Sequence, residues 1–362
     1  MTVARVAVPL PTGAYDITIG AGVLGELPAI LAAACPATRY AVIADSAVAE
    51  LYAADLAADL RAALFTFPAG EWNKTRETWG GLSDRLLDAG LGRDCAVLAV
   101  GGGVTGDLAG FVAATYLRGV PYVQVPTTLL AMIDSSIGGK TGVDTSHGKN
   151  LIGAFHQPRA VVADVQTLAT LTPPQLAAGM AEALKHGLLI DAAYCEMLSA
   201  QHDRILARDP DMLTDVVTRG VAIKAEVVAA DEREAGRRAT LNLGHTVAHA
   251  IEQVSGYEIL HGEAVAIGLV VEADLGVRLG VTAPDVPGRI RAALEQFGLP
   301  TTLPETTSQA LLDAMRSDKK TRDGTVRFAL LADVGKPARG RGGEWTFSAP
   351  ETFIIEALDQ NR

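Results

Sequence analysis

The chain has 362 residues, enough for about two domains and a large buried core. Its 42 acidic and 31 basic side chains leave a formal charge of −11, which argues against a nucleic-acid or anionic-membrane partner, because such surfaces are bound by clustered positive charge. The three cysteines (Cys35, Cys95 and Cys195) are too scattered for a disulfide framework or a thiolate metal site. There is no apolar leader and no apolar run near the ~20 residues that span a bilayer, so a cytoplasmic protein with no membrane contact is expected.

Two short strands, residues 5–10 and 14–19, are predicted around the turn-forming Pro11-Thr12-Gly13. Residues 40–44, 95–100, 122–125 and 160–163 read as further strands, each ending at a polar residue, a proline or a glycine run, with helices over 48–64 and 75–89 between several of them. That alternation predicts a parallel α/β sheet whose ligands bind beyond the carboxyl ends of the strands. After Leu171-Thr172-Pro173-Pro174 the periodicity turns helical, over 175–190, 193–207, 212–230, 245–254, 262–279 and 287–297. Pro173 suits a helix start, where its missing N–H costs little. Residues 338–343, rich in glycine and arginine, read as an exposed turn before Trp345. The expected fold class is α/β: a Rossmann-like N-terminal domain, residues 1–171, and a mostly α-helical C-terminal domain, residues 172–362.

Two sets of residues stand out chemically. The apolar strand at 95–100 runs into Gly101-Gly102-Gly103-Val104-Thr105-Gly106-Asp107, followed by Thr127-Thr128, Asp134-Ser135-Ser136, Gly138-Gly139-Lys140 and Gly148-Lys149-Asn150. Glycine lets backbone N–H groups approach a pyrophosphate closely, and this density of glycines, hydroxyls and lysines reads as phosphate binding, although it fits neither G-x-G-x-x-G nor the P-loop. In the helical half, polar clusters interrupt apolar sequence at Glu182-Ala183-Leu184-Lys185-His186, from Arg238 through Asn242 and His245 to His249, and at His261-Gly262-Glu263. His245 and His249 share a helix face at i, i+4, and Glu182 with two of these histidines makes a three-ligand set of the kind that holds a catalytic metal. Spacing alone does not choose among His245, His249 and His261, and Glu182 with Lys185 also fits a simple helix ion pair.

Taken in order, GGGVTGDLAGF, YLRG, PTTLLAMIDSSIGGKTGVDTSHGKN, GMAEALKHG, KAEVVAADE, LNLGHTVAHAIE and HGEAVAIG resemble the 3-dehydroquinate synthase family, within the sugar phosphate cyclase superfamily. The resemblance runs from Ala69 to Lys320, with Asp144 standing where many members have Asn. It implies an N-terminal NAD-binding domain and a C-terminal metal- and substrate-binding domain with the active site in the cleft between them. It further implies that Glu182, His245 and His261 hold a divalent metal, zinc or cobalt, which leaves His249 for substrate. NAD would be held by Ala69, Gly70, Glu71, Trp72, Asn73 and Lys74, by Gly102, Gly103, Val104, Thr105, Gly106 and Asp107, and by Thr127 and Thr128. Thr167, Leu168, Ala169, Thr170, Lys140 and Lys149 would complete that site, with Asp45 near the adenosine ribose.

The same resemblance assigns Asp134, Lys140, Asn150, Lys185, Lys224, Arg238, Asn242, His249 and a lysine of Asp318-Lys319-Lys320 (Lys319 or Lys320) to the substrate. Arg118 would reach the substrate phosphate of the neighbouring subunit in a homodimer, and the small apolar residues of 108–115 suggest a helix that packs against that subunit. The implied reaction converts 3-deoxy-D-arabino-heptulosonate 7-phosphate, a sugar phosphate, to 3-dehydroquinate and phosphate in the shikimate pathway. It runs by transient oxidation with NAD, phosphate elimination, re-reduction and aldol closure. The rival readings are another sugar phosphate cyclase and a metal-dependent polyol dehydrogenase. A scaffold that had lost its chemistry would show decay of the polar clusters, and none is visible.

Overall fold

The computed structural model describes residues 3–11, 13–234, 236–317 and 325–362; Thr12, Asp318, Lys319 and Lys320 lie outside the described residues. The chain divides into two compact units, Met1–Leu171 with Pro210–Ala229, and Thr172–Asp209 with Ala230–Arg362. The helix Pro210–Ala230 thus groups with the first unit, where a single cut in the sequence would put it in the second.

The strands of the first unit are β1 (Ala4–Val8), β2 (Tyr15–Gly20), β3 (Arg39–Asp45), β4 (Ala63–Phe67), β5 (Cys95–Gly101), β6 (Tyr122–Pro126), β7 (Lys140–Thr145), β8 (Gly148–Phe155) and β9 (Ala160–Asp164). Seven form one sheet in the order β1-β2-β9-β6-β5-β3-β4, parallel throughout except for the β1–β2 pair. β5 is buried at every position, which its unbroken apolar run reflects: Val97 and Ala99 join one core with Leu82, Leu108 and Phe111, while Leu98 and Val100 join the other with Leu27, Val42 and Val123. β3 connects onward to β4 on one side and β5 to β6 on the other, so the topological switch point lies beyond the carboxyl ends of β3 and β5, at Asp45 and Gly101.

Two expectations for this unit are corrected, those for residues 48–64 and 108–115. The helix predicted over 48–64 runs from Ser46 to Asp59, with one π-helical stretch at Ala49–Ala53, and Arg61 at φ +50° turns the chain into β4. The glycine- and lysine-rich stretch after Gly139 is partly an antiparallel hairpin of β7 and β8 in which Gly142 faces Gly153. A Cβ on Gly153 would lie 2.1 Å from the Thr141 carbonyl oxygen, so this glycine serves the close approach of two backbones. Finally, the helix Gly103–Thr115 buries Leu108, Ala109, Gly110, Phe111, Val112 and Ala113 within its own unit, so its small apolar residues pack against the sheet and not against another subunit.

The second unit is mainly helical, with Pro173–Ile190, Ala192–Ala200, His202–Leu206, His245–Val254, His261–Arg278, Val286–Glu295, Ser308–Ser317 and Glu351–Gln360. Pro173 takes the first helical position, and the Gln175 side chain accepts from the Thr172 N–H at 2.9 Å to complete the cap. The helix expected over 193–207 is two helices broken at Gln201, and those ending at Ser317 and Gln360 were not foreseen. Residues 338–343 form the expected turn, with the Arg339 guanidinium 4.9 Å from the Trp345 ring centre. A Cβ on Gly262 would lie 2.1 Å from the Ala178 carbonyl oxygen, so helices Pro173–Ile190 and His261–Arg278 meet backbone to backbone. That contact brings the polar residues of one helix to those of the other. Among the described residues no helix is long and apolar enough to cross a membrane.

Candidate functional site

In the second unit, Glu182 is completely buried in the middle of helix Pro173–Ile190, and Lys185 one turn on is 1 % exposed. Their charges pair at 2.5 Å between Lys185 Nζ and Glu182 Oε2. The other carboxylate oxygen, Oε1, lies 3.4 Å from His245 Nε2 and 3.4 Å from His261 Nε2. Glu182, His245 and His261 each offer a ligand atom within 4.8 Å of the other two. His249 shares the helix of His245, its ring centre 5.6 Å from that of His245 and 6.4 Å from that of His261, and it is outside this group.

The environments of the two imidazoles differ. Burial pulls His245 down to about 4, and the Lys185 ammonium adds to the shift. His245 Nδ1 lies 3.0 Å from the Leu243 carbonyl oxygen, which can only accept, so Nδ1 carries the proton. The Nε2 lone pair is then aimed at the Glu182 carboxylate. Two acceptors facing each other in a dry site suit a cation between them, and two imidazoles with one carboxylate are donors that suit zinc or cobalt. For His261, burial also lowers the basicity, but the carboxylates of Glu252 and Glu182 outweigh it and raise the ring to about 10. Glu252, 2 % exposed, places Oε1 3.3 Å from His261 Nδ1, the kind of outer partner that fixes the orientation of a ligating ring. Sequence reading had not singled out Glu252, because its spacing from His261 carries no signal.

Elsewhere in this unit, the Arg238 guanidinium is buried and donates to the Glu232 carbonyl oxygen, while the Arg238 N–H donates to Asp231 Oδ2 at 3.0 Å. Asn242 Nδ2 donates to Glu234 Oε1 at 2.8 Å.

In the first unit the expected nucleotide residues gather at the switch point. Asp45, at the end of β3, accepts the N–H groups of Ala47 and Val48, both at 3.0 Å, and the Thr105 hydroxyl at 3.2 Å. Gly102 and Gly103 open the helix after β5; a Cβ on either would press to 3.1 Å on the side chain of Thr128 or Ser135 respectively. Val104, Gly106 and Asp107 continue that helix, and the Thr127 N–H donates to the Gly101 carbonyl oxygen at 2.9 Å. Beside it, the Ala69 N–H donates to the Ser46 hydroxyl at 3.2 Å, Gly70 adopts φ +110°, and Asn73 Nδ2 donates back to the Ala69 carbonyl at 2.8 Å, while Trp72 stands 77 % exposed. Thr167, Leu168, Ala169 and Thr170 form a 3₁₀ turn after β9, to which the Tyr52 hydroxyl is joined at the Thr167 carbonyl oxygen, 3.1 Å, and the Thr170 hydroxyl, 3.0 Å.

Lys74, 3 % exposed, is the centre of a charge cluster with Asp107 at 3.1 Å, Glu71 at 3.3 Å and Asp144 at 3.8 Å, and Glu71 also holds Lys149 at 3.4 Å. Burial works against the Lys74 ammonium, but the three carboxylates outweigh it and hold its pKa well above the ordinary lysine value. Burial raises Asp107 and Asp144, and Lys74 opposes both shifts. Asp144, the departure from the commoner Asn, also accepts the Asn150 N–H at 2.8 Å and so helps hold Asn150 at φ +54°. Lys224, on helix Pro210–Ala230, pairs with Asp134 at 2.8 Å, and Lys140 is exposed at the start of β7. Arg118 is exposed at φ +70° in the turn Tyr116–Arg118, which Arg93 pins by donating to the Leu117 carbonyl at 2.9 Å.

Comparison with known proteins places this arrangement. A family model described as 3-dehydroquinate synthase N-terminal matches residues 64–178, and one described as 3-dehydroquinate synthase C-terminal matches residues 179–321. The 3-dehydroquinate synthase of Acidithiobacillus ferrooxidans is 48 % identical over 334 residues, 91 % of this chain and 92 % of that one. Among solved structures, 2-deoxy-scyllo-inosose synthase complexed with carbaglucose-6-phosphate, NAD+ and Co2+ superposes with a TM-score of 0.90 at 28 % identity, over 99 % of this chain and all of that one. The 2-epi-5-epi-valiolone synthase of Streptomyces hygroscopicus subsp. jinggangensis, with NAD+ and Zn2+ bound, gives 0.85 at 30 % identity, over 96 % of each chain. The sugar phosphate cyclase architecture is thus shared by all three, and with both halves of the sequence matched by one family's models the chain belongs to the 3-dehydroquinate synthase family.

Proposed function

We propose that this chain converts 3-deoxy-D-arabino-heptulosonate 7-phosphate to 3-dehydroquinate and phosphate, as a cytoplasmic homodimer. The observation that carries the choice of substrate is the 48 % identity over 91 % of the chain to a 3-dehydroquinate synthase, against 28–30 % to cyclases named for other products. NAD, when bound, would supply a hydride acceptor and, once reduced, a hydride donor. Glu182, His245 and His261 would hold zinc or cobalt, which would supply a Lewis acid able to acidify the hydroxyl to be oxidised.

The chain's own groups do the rest. Lys185 pairs with Glu182 at 2.5 Å and orients that carboxylate. Substrate phosphate and carboxylate need fixed cations in a protein of net charge −11, and Lys140, Lys224 and Arg238 meet that need locally, with Asp134 orienting Lys224. Asn150, Asn242 and His249 supply further polar contacts. Of the residues assigned to NAD, Asp45 and Thr105 are already joined across the switch point, which preorganises the strand ends there.

Phosphate release assayed in parallel with the heptulosonate phosphate, sedoheptulose 7-phosphate and glucose 6-phosphate tests the assignment. Release from the first alone, with 3-dehydroquinate as product, is expected; turnover of either of the others in its place contradicts it.

In the homodimer Arg118 acts on the substrate of the neighbouring subunit, and its exposure in a pinned turn supports that role. Neither an Arg118→Ala protein nor a Lys140→Ala protein is expected to be active alone, whereas mixing and re-equilibrating the two should restore one site in each hybrid dimer. A mixture as inactive as its components places Arg118 in its own subunit's site.

A further inference from the structure

We propose that Glu272 is a positioning residue that sets the metal-ligand group, by carrying the helix of His245 on the helix of His261. The inference rests on the reading of Glu182, His245 and His261 as metal ligands. Glu272 is completely buried in helix His261–Arg278, three turns beyond His261. Its Oε2 accepts the Gly244 N–H at 2.7 Å, and its Oε1 accepts those of Thr246 at 3.0 Å and Val247 at 3.2 Å. These N–H groups belong to the start of helix His245–Val254, where the helix supplies no acceptors of its own. The cap position is Gly244, which has no side chain to do the work, so a carboxylate from another helix does it and is favoured there by the helix dipole.

The surroundings leave this start little freedom. Gly244 adopts φ +78°, and a Cβ on Gly268 would lie 2.0 Å from the Gly244 carbonyl oxygen, so the two helices touch through backbone. His245 takes its orientation from the same short stretch, because its Nδ1 proton goes to the Leu243 carbonyl. Holding residues 244–247 therefore fixes where His245 Nε2 points relative to Glu182 and His261. The sequence hides this, since Glu272 sits in an apolar helical run 25–28 residues from its partners.

The test compares the full-length wild type, Glu272→Gln and the core variant Ile290→Val, on a helix that carries none of the three ligands, each stripped with a chelator and reloaded with Zn2+ alone or Co2+ alone. Glutamine keeps the shape and one acceptor, so the variant should fold. Its Zn2+ affinity is expected to fall by about 10–100-fold, the loss typical of partners one step removed from a metal, with a changed Co2+ absorption spectrum. The Ile290→Val protein, destabilised without change to residues 244–247 or to any ligand, should keep both. Wild-type affinity and an unchanged Co2+ spectrum in Glu272→Gln, with only thermal stability lowered, would reduce Glu272 to a helix cap and overturn the proposal. A wild type that binds neither ion would remove the metal reading itself, and this inference with it.

Discussion

Alanine in place of His261 is expected to cut zinc or cobalt affinity by more than about 100-fold, beyond the ~10–100-fold typical of outer partners, while alanine in place of His249 leaves metal content near that of the wild type. His261 Nε2 is one of three ligand atoms within 4.8 Å of one another, and a site with only three protein ligands cannot lose one and still hold its ion tightly. His249 is outside that group. The control for folding is built in, because His261 is only partly buried and its removal leaves the core intact. Metal content after equilibration against a chelator, with circular dichroism on the same samples, measures the difference. Full occupancy in His261→Ala, or loss of metal in His249→Ala, would exchange the two residues' roles.

The second large effect concerns the charge cluster in the other unit. Methionine at Lys74 preserves most of the apolar stem but strands Asp107, Glu71 and Asp144, whose side chains are 19 %, 31 % and 18 % exposed, without the ammonium that offsets them. Breaking a buried ion pair by removing one partner costs about 3–5 kcal/mol, so Lys74→Met is expected to unfold at distinctly lower urea near neutral pH. The pH dependence has a definite sign. The folded pKa of Lys74 is raised above its ordinary 10.5, so its contribution is fully present below that pH and is lost as pH rises above it. In that range the unfolded chain has released a proton that the folded one keeps, and wild-type stability falls by up to about 1.4 kcal/mol per pH unit from this group. The methionine variant should lack that component of the alkaline slope. Equal urea midpoints at neutral pH, together with equal alkaline slopes, would show that Lys74 is not the charge holding the cluster.

The parts of the fold that could be read from sequence are those whose cause is local. The apolar run of β5 and the helix start at Pro173 need only neighbouring residues to be recognised. The parts that escaped depend on something distant or on a residue that breaks its usual habit. β4 was merged into a helix because the chain reverses at Arg61, a non-glycine at φ +50° with no glycine or proline to announce it. The β7–β8 hairpin escapes a sequence reading because glycine has two uses, and only the facing of Gly142 and Gly153 shows that at these two positions it lets two backbones meet. Residues 108–115 offered small apolar side chains that suit a subunit interface or a buried helix equally well, and the sheet claims them.

The site divides in the same way. Residue type and order sufficed to gather Glu182 with His245, His249 and His261, but which two imidazoles approach Glu182 depends on the backbone contact at Gly262. Glu252 and Glu272 look like ordinary helix glutamates until the fold puts one on His261 and the other under the helix of His245. Asp144 stood out only as a departure from the family pattern, and its bonds to Lys74 and Asn150 give it a physical role.

Transient oxidation in this cyclase is open to measurement by turnover of 3-deoxy-D-arabino-heptulosonate 7-phosphate carrying deuterium at C5, with only a trace of NAD present. A cyclase needs the ketone only long enough to acidify the neighbouring C–H and expel phosphate, after which the same hydride must return. Equal amounts of phosphate and 3-dehydroquinate, no build-up of NADH, and deuterium retained at the corresponding carbon of the product are expected. NADH formed in step with product, or deuterium lost to NAD added during turnover, would contradict transient oxidation and favour a metal-dependent dehydrogenase.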